Sequence, residues 1–327
     1  MLNTPFPPWP SYSKEESKKV SKILLSNKVN YWTGTETKNF EEEFAAWSEA
    51  SYAIAVSNGS VALEMALRAL GIGRGDEVLV SPRTYIASVS SIELLGAKPI
   101  FVDVDLDSQC IDPSKIEKKI TKKTKGIICV HLAGHPCDMT KILTIAKKNK
   151  LKVIEDCAQA HGASYKGKRV GSIGDVGCWS FCQDKIMTTG GEGGMITTND
   201  KSLWNTMWSY KDHGKSWDLV HNHPPAQGFR WLHSSFGTNL RLTEMQSAIG
   251  RIQLKKMEMW NSRRTLNANK ITKSVMDLDL FRVPKVSKDI HHAWYKYYLF
   301  INVEKLKYGW NKQMVISRLN KLGIPCY

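Results

Sequence analysis

A chain of 327 residues, 42% hydrophobic and 24% charged, has the makings of one large or two ordinary folded domains, and disorder is excluded as its main state. Its 46 Lys and Arg against 31 Asp and Glu leave a net charge of +15, which narrows the partners to a nucleic acid, a membrane surface or a polyanionic substrate. No run of about eighteen apolar residues occurs, and the first thirty residues lack a signal-peptide core, so neither a spanning helix nor a secretory leader is expected.

The seven cysteines (Cys110, Cys129, Cys137, Cys157, Cys178, Cys182 and Cys326) include no CxxC pair. Several sit in apolar runs, as reduced cysteines do, and the chain reads as cytoplasmic.

From about residue 50, short β-branched runs alternate with helix-length amphipathic segments. AIAV (53–56) precedes the periodic VALEMALRAL (61–70), and EVLVS (77–81) precedes IASVSSIELLG. KPIFVDV (98–104) is followed by DPSKIEKKI, where Pro113 suits a first helical turn. GIICVHL (126–132), MTKILTIAKKN and KVIED (152–156) continue the rhythm; CWSFC (178–182) and GMITTND (194–200) are two further strands. Strands with little alternation, each followed by a helix, imply a mostly parallel sheet buried on both faces, an α/β layered fold. After about residue 243 a long helical stretch begins, and HAWYKYYLFINV (292–303) is expected as a strand of a smaller α+β unit. The expected division is 1–245 for the large domain and 246–327 for the small one.

Three segments hold candidate chemistry. Ser57, Asn58, Gly59 and Ser60 turn from a strand into a helix, a geometry that suits either a phosphate or an ordinary helix cap. Glu155 and Asp156 end an apolar strand, where a buried acid needs a partner, either a salt bridge or a ligand. Lys185 follows another strand and leads into TTGGEGG; it is either a solvated surface group or, partly desolvated, a nucleophile toward a carbonyl. Together the three make the anchors of pyridoxal phosphate (PLP): phosphate at the helix start, acid on the pyridine nitrogen, lysine on the aldehyde carbon. By contrast, GIGRGD (71–76) has the wrong spacing for a dinucleotide fingerprint and reads as a helix-end turn. HLAGHPC (131–137) and HNH (221–223) lack a complete zinc ligand set, so no metal is expected. The lysine-rich stretches have no recognition motif beside them, so neither nucleic acid nor membrane is an expected partner.

The order GS, SPRTYIAS, IEDCAQAHGA, WSF, K, GEGG and FGTNLRLTEMQSAIGRIQL resembles the DegT/StrS-type nucleotide-sugar aminotransferases, over roughly Trp32 to Tyr327. The resemblance implies a three-layer, aspartate-aminotransferase-like PLP domain with a smaller α+β C-terminal domain, expected to be incomplete, as a fragment or a shortened member, since the family usually continues past LNKLGIPCY. It implies that the backbone amides of Ser60 and Val61, with the Ser60 hydroxyl, bind phosphate, and that Ser180 is a further phosphate ligand. Tyr85 would stack on the pyridine ring, Asp156 would hold its nitrogen, Gln159 would face its 3-hydroxyl, and Lys185 would form the Schiff base. Asn239 would reach the phosphate of a neighbouring subunit, giving a homodimer with shared sites. Tyr31 and Trp32, in YWTG, would line the sugar site.

The expected reaction moves an amino group from an amino acid, L-glutamate by resemblance, to a keto-sugar on a nucleoside diphosphate, for cell-surface polysaccharide or related amino-sugar synthesis. Three alternatives stand beside it: a non-catalytic PLP-binding regulatory or structural protein, a sugar dehydratase, which carries His where this chain has Lys185, and a nucleic-acid-binding protein, suggested only by charge. The basic excess would then serve a cationic cleft that attracts the phosphate groups. Cys157, where alanine is usual, and the extra glycine of TTGGEGG depart from the family pattern.

Overall fold

The structure, a computed structural model, describes residues 6, 9–223 and 233–327. Helix α1 (Lys14–Leu25) opens on a capping box between Ser13 and Glu16, and α2 (Glu36–Ser48) follows. The alternating part then runs β1 (Tyr52–Val56), α3 (Gly59–Ala69), β2 (Glu77–Val80), α4 (Ala87–Leu94), β3 (Lys98–Phe101) and α5 (Pro113–Ile116). It continues with β4 (Thr124–Val130), α6 (Met139–Asn149), β5 (Lys152–Asp156), the short pair β6 (Ser164–Tyr165) and β7 (Lys168–Arg169), β8 (Val176–Ser180) and β9 (Gly194–Thr198). Helices α7 (Lys201–Lys211), α8 (Trp217–His221), α9 (Glu244–Leu254) and α10 (Met257–Val275) come next. Last are β10 (Phe281–Arg282), β11 (Ile290–His291), β12 (Phe300–Ile301) and α11 (Lys312–Lys321).

Seven strands form the main sheet in the order β1-β9-β8-β5-β4-β2-β3, and all pairings are parallel except those of β9. The expected α/β class with a mostly parallel sheet is therefore what the chain adopts. Both faces are covered, as the near-continuous apolar runs require. Ile54, Val56, Cys178 and Ile196 join one buried cluster with α3 and α7, while Ala53, Ala55, Trp179 and Met195 join another with Phe40 and Phe44 of α2. GIGRGD is a helix end: Gly71 takes a φ of +72°, with Gly71 N–H donating to Arg68 O and Ile72 N–H to Leu67 O, a Schellman closure.

Helix α9, which spans residue 245, packs on α1 and α2. One expectation changes. The expected strand over 292–303 is confined to Phe300–Ile301, paired with β10. Trp294 has a φ of +53°, which breaks a strand. The chain there stacks His292 on Trp294 and Trp294 on Tyr297, and docks on a turn through Ala293 N–H to Gly134 O and Tyr295 N–H to Ala133 O. No described helix is long and apolar enough to cross a membrane.

Candidate active site

The carboxyl ends of β5 and β8 and the amino end of α3 meet around a cavity of about 570 Å³, within the usual span of ligand pockets, about 300–1,000 Å³. Strand ends of parallel sheets are where such sites form. Ser60, Val61, Tyr85, Asp156, Gln159, Ser180 and Lys185 all line it, so seven of the expected residues come together.

At the α3 end, Asn58 caps the helix and its side chain accepts the Val61 N–H at 2.9 Å. That bond makes Asn58 the N-cap of α3 and engages the Val61 amide. Among the described residues nothing accepts from the amides of Gly59 and Ser60. These first-turn donors sit at the positive end of the helix dipole. A Cβ on Gly59 would stand 2.7 Å from the Ser180 Cβ, so only glycine lets this turn lie against the end of β8. The sequence reading placed Gly59 in this turn without giving it a role of its own; the close approach to Ser180 supplies one.

Two acids end β5. Glu155 is fully buried; its Oε1 accepts the amides of Ile173 and Gly174 at 2.8 and 2.7 Å, and its Oε2 lies 3.0 Å from His131 Nε2. His131 Nδ1 accepts the Cys137 N–H at 3.1 Å, which leaves Nε2 to donate to Glu155 in the neutral ring. Burial alone would raise the Glu155 carboxyl, but the His131 bond and the backbone amides hold it below the ordinary carboxylate range. His131, Glu155 and Cys157 lie within 4.8 Å of one another, and hydrogen bonding already engages both His131 nitrogens. Glu155 is thus the structural acid of the pair.

Asp156 points to the other side of the pleat, where it is 6% exposed and lines the cavity. Its Oδ2 accepts the Ser88 hydroxyl at 2.6 Å and its Oδ1 the Ala158 N–H at 3.1 Å. Ser88 in turn lies 2.7 Å from the Thr84 hydroxyl. Gln159 accepts the Ala133 N–H at 2.7 Å, which keeps its NH2 group as its remaining donor. Tyr85 lines the cavity and is 69% exposed.

Lys185 sits on the connection between β8 and β9, whose Gly190 and Gly191 take φ of +92° and +129°; the second value suits glycine alone. Its Nζ is 3.4 Å from Asp184 Oδ1 and 5.2 Å from the centre of the Tyr295 ring. The Tyr295 hydroxyl donates to Asp184 at 2.5 Å, and the Trp9 indole N–H donates to the Lys185 carbonyl at 2.9 Å. Burial, reinforced by Asp184, pushes the Tyr295 phenol up, while Asp184 is held below its ordinary value despite burial by its bond to Tyr295. His161, wholly buried against Trp179 and Phe181, is pushed down to about 3 by burial, with Lys185 and Arg264 adding to it, and is a neutral ring. Tyr295, Asp184 and Ser88 are site residues the sequence did not single out.

The remaining expected residues lie elsewhere. Asn239 is exposed and outside the cavity of its own chain, pairing in an isolated bridge with Asp212. Tyr31 is 3% exposed, bonded to Glu41 and Trp208, with Lys211 Nζ 4.1 Å from its ring centre. Trp32 packs edge-on against Tyr31 and Trp208, so neither aromatic lines this cavity. The basic excess is not focused here either: among the described lining residues Lys185 is the one cation, facing Glu64, Asp156, Asp184 and Glu192.

The donor set fits pyridoxal phosphate. Two free helix amides with the Ser60 and Ser180 hydroxyls suit the phosphate, Asp156 the ring nitrogen, and Lys185 the aldehyde. The DegT/DnrJ/EryC1/StrS aminotransferase profile matches residues 10–327. The chain belongs to that family. It is 44% identical over 290 residues to the GDP-perosamine synthase of Escherichia coli O157:H7, covering 88% of this chain and 75% of that protein. The X-ray structure of the aminotransferase from Psychrobacter cryohalolentis superposes with a TM-score of 0.96 at 54% identity, covering 99% of this chain and 84% of that one. The PLP form of the putative sugar aminotransferase Spr1654 from Streptococcus pneumoniae has a TM-score of 0.85 at 25% identity, with 98% and 84% covered. A family of aminotransferases and a pocket with PLP donors agree with each other.

Proposed function

We propose that this aminotransferase uses PLP to move an amino group from L-glutamate to a keto-sugar carried on a nucleoside diphosphate, yielding a nucleotide-linked amino-sugar for polysaccharide synthesis. The observation that carries the reading is the convergence of Lys185, Asp156 and the free amides of α3 on one cavity. When bound, PLP supplies an electron sink for the carbanion formed at the substrate carbon. The chain supplies the rest. Gly59, Ser60 and Ser180 bind the phosphate, and Asp156 keeps a proton on the ring nitrogen. Gln159 gives a donor to the ring oxygen, and Tyr85 closes over the exposed ring face. Lys185 would hold the aldehyde carbon, and its amine would be the group that moves a proton at the substrate carbon. The exposed position of Asn239 supports a homodimer in which it reaches the partner's phosphate.

The test is spectroscopic. The protein with PLP shows the visible band of lysine-bound cofactor; L-glutamate bleaches it, and one of a panel of nucleotide-linked keto-sugars restores it. Lys185→Ala abolishes the band. A protein that binds PLP but ignores every amino donor overturns the transaminase reading in favour of a non-catalytic role.

A further inference from the structure

We infer that Ser88, aided by Thr84, is a positioning residue that aims the Asp156 carboxylate into the cavity and so keeps the proton on the cofactor's ring nitrogen; this rests on the PLP reading above.

Ser88 is 1% exposed, lines the cavity, and stands on the first turn of α4. Its hydroxyl is 2.6 Å from Asp156 Oδ2, the length of a charge-assisted bond. A hydroxyl has one proton, and an ionised carboxylate can only accept, so the Ser88 proton goes to Asp156. The 2.7 Å contact between the Thr84 and Ser88 oxygens then has one consistent direction, with Thr84 donating and Ser88 accepting. The hydroxyls line up as a relay ending on the carboxylate. Each donor polarises the next and strengthens the last bond.

The other oxygen of Asp156 takes the Ala158 N–H, so the carboxylate plane is fixed from both sides before any ligand arrives. Without Ser88 that side of the carboxylate is free to turn, and the ring nitrogen loses the aligned anion that holds its proton. The relay also brackets Tyr85, which lies between Thr84 and Ser88 in the same turn, so one set of bonds holds both the ring's acid and the loop bearing the aromatic that faces the cavity.

The experiment uses the full chain loaded with PLP labelled with 15N at the ring nitrogen. In the wild type the 15N resonance lies at the protonated position. In Ser88→Ala it moves toward the unprotonated position, the PLP dissociation constant rises, and turnover falls about tenfold to a hundredfold. Ser88→Thr restores the signal, and Thr84→Val gives a smaller shift in the same direction. Thermal melting separates these effects from misfolding; if Ser88→Ala does not fold, the Thr84→Val shift decides. A wild-type 15N signal in Ser88→Ala, or in Thr84→Val where that variant decides, overturns the inference and leaves the PLP reading standing. A wild-type chain that binds no PLP overturns the reading itself.

Discussion

Glu155 and Asp156 are neighbours in sequence, end the same strand and are both almost inaccessible to water, yet their surroundings are opposites. Glu155 is enclosed by His131 and the amides of Ile173 and Gly174, all of them groups of the fold. Asp156 meets Ser88 and Ala158 on one side and the cavity on the other. The pleat alone separates them, because successive side chains of a strand leave on opposite faces. A strand end can therefore supply one acid to stability and the next to chemistry without any change in composition.

Substitutions that keep shape and remove charge test this division. Asp156→Asn should lose turnover by about a hundredfold to a thousandfold, the scale of losing one preorganised electrostatic partner, while its melting temperature stays near the wild type. Near-normal turnover would remove Asp156 from the reaction. Glu155→Gln should do the reverse, costing about 2 kcal/mol in chemical denaturation because its NH2 group must face a donor, either His131 or the Ile173 and Gly174 amides, with PLP affinity changed little. Equal effects of the two substitutions on stability would erase the contrast. At the opposite end of the cavity, Gly59→Ala should weaken PLP binding about tenfold, the share of one or two displaced hydrogen bonds, since the new Cβ meets Ser180. An unaltered dissociation constant would mean that the turn does not hold the phosphate.

The smallest effect concerns acid. Glu155 titrates below its ordinary 4.5 in the folded state; the stability it adds is present above that value and is lost as pH falls through the lowered one. Wild-type stability should drop in that interval, and Glu155→Gln should lack this component. Parallel acid limbs for the two proteins would show that the His131 contact contributes nothing.

Much of this was legible in the residues. Strands buried on both faces announce themselves as unbroken apolar runs, which is why the sheet, Asp156 at a strand end and Lys185 after a strand could be read directly, whereas Ser180 came with the family resemblance. The capping of Val61 was harder: Asn58 suits a cap and a phosphate turn alike, and only the direction of its side chain decides. Ser88 and Tyr295 carried no local mark, since their partners Asp156 and Asp184 lie 68 and 111 positions away. The 292–303 segment misled because its aromatics have the composition of a strand, whereas the left-handed Trp294 turns them into a stack against the Ala133–Gly134 turn.

Strand β9 is the one member of the main sheet that runs against its neighbours. A parallel neighbour would have demanded a crossover through a helix; the reversal lets β8 pass to β9 by a direct connection, and Lys185 rides on it. Its amide donates to Cys182 O, while those of Thr188 and Thr189 donate to the Gln253 side chain and Phe181 O. In hydrogen-exchange terms this loop should behave as part of the sheet, opening only when β8 and β9 open, so that the reactive amine has the residence time of core structure rather than of a surface loop.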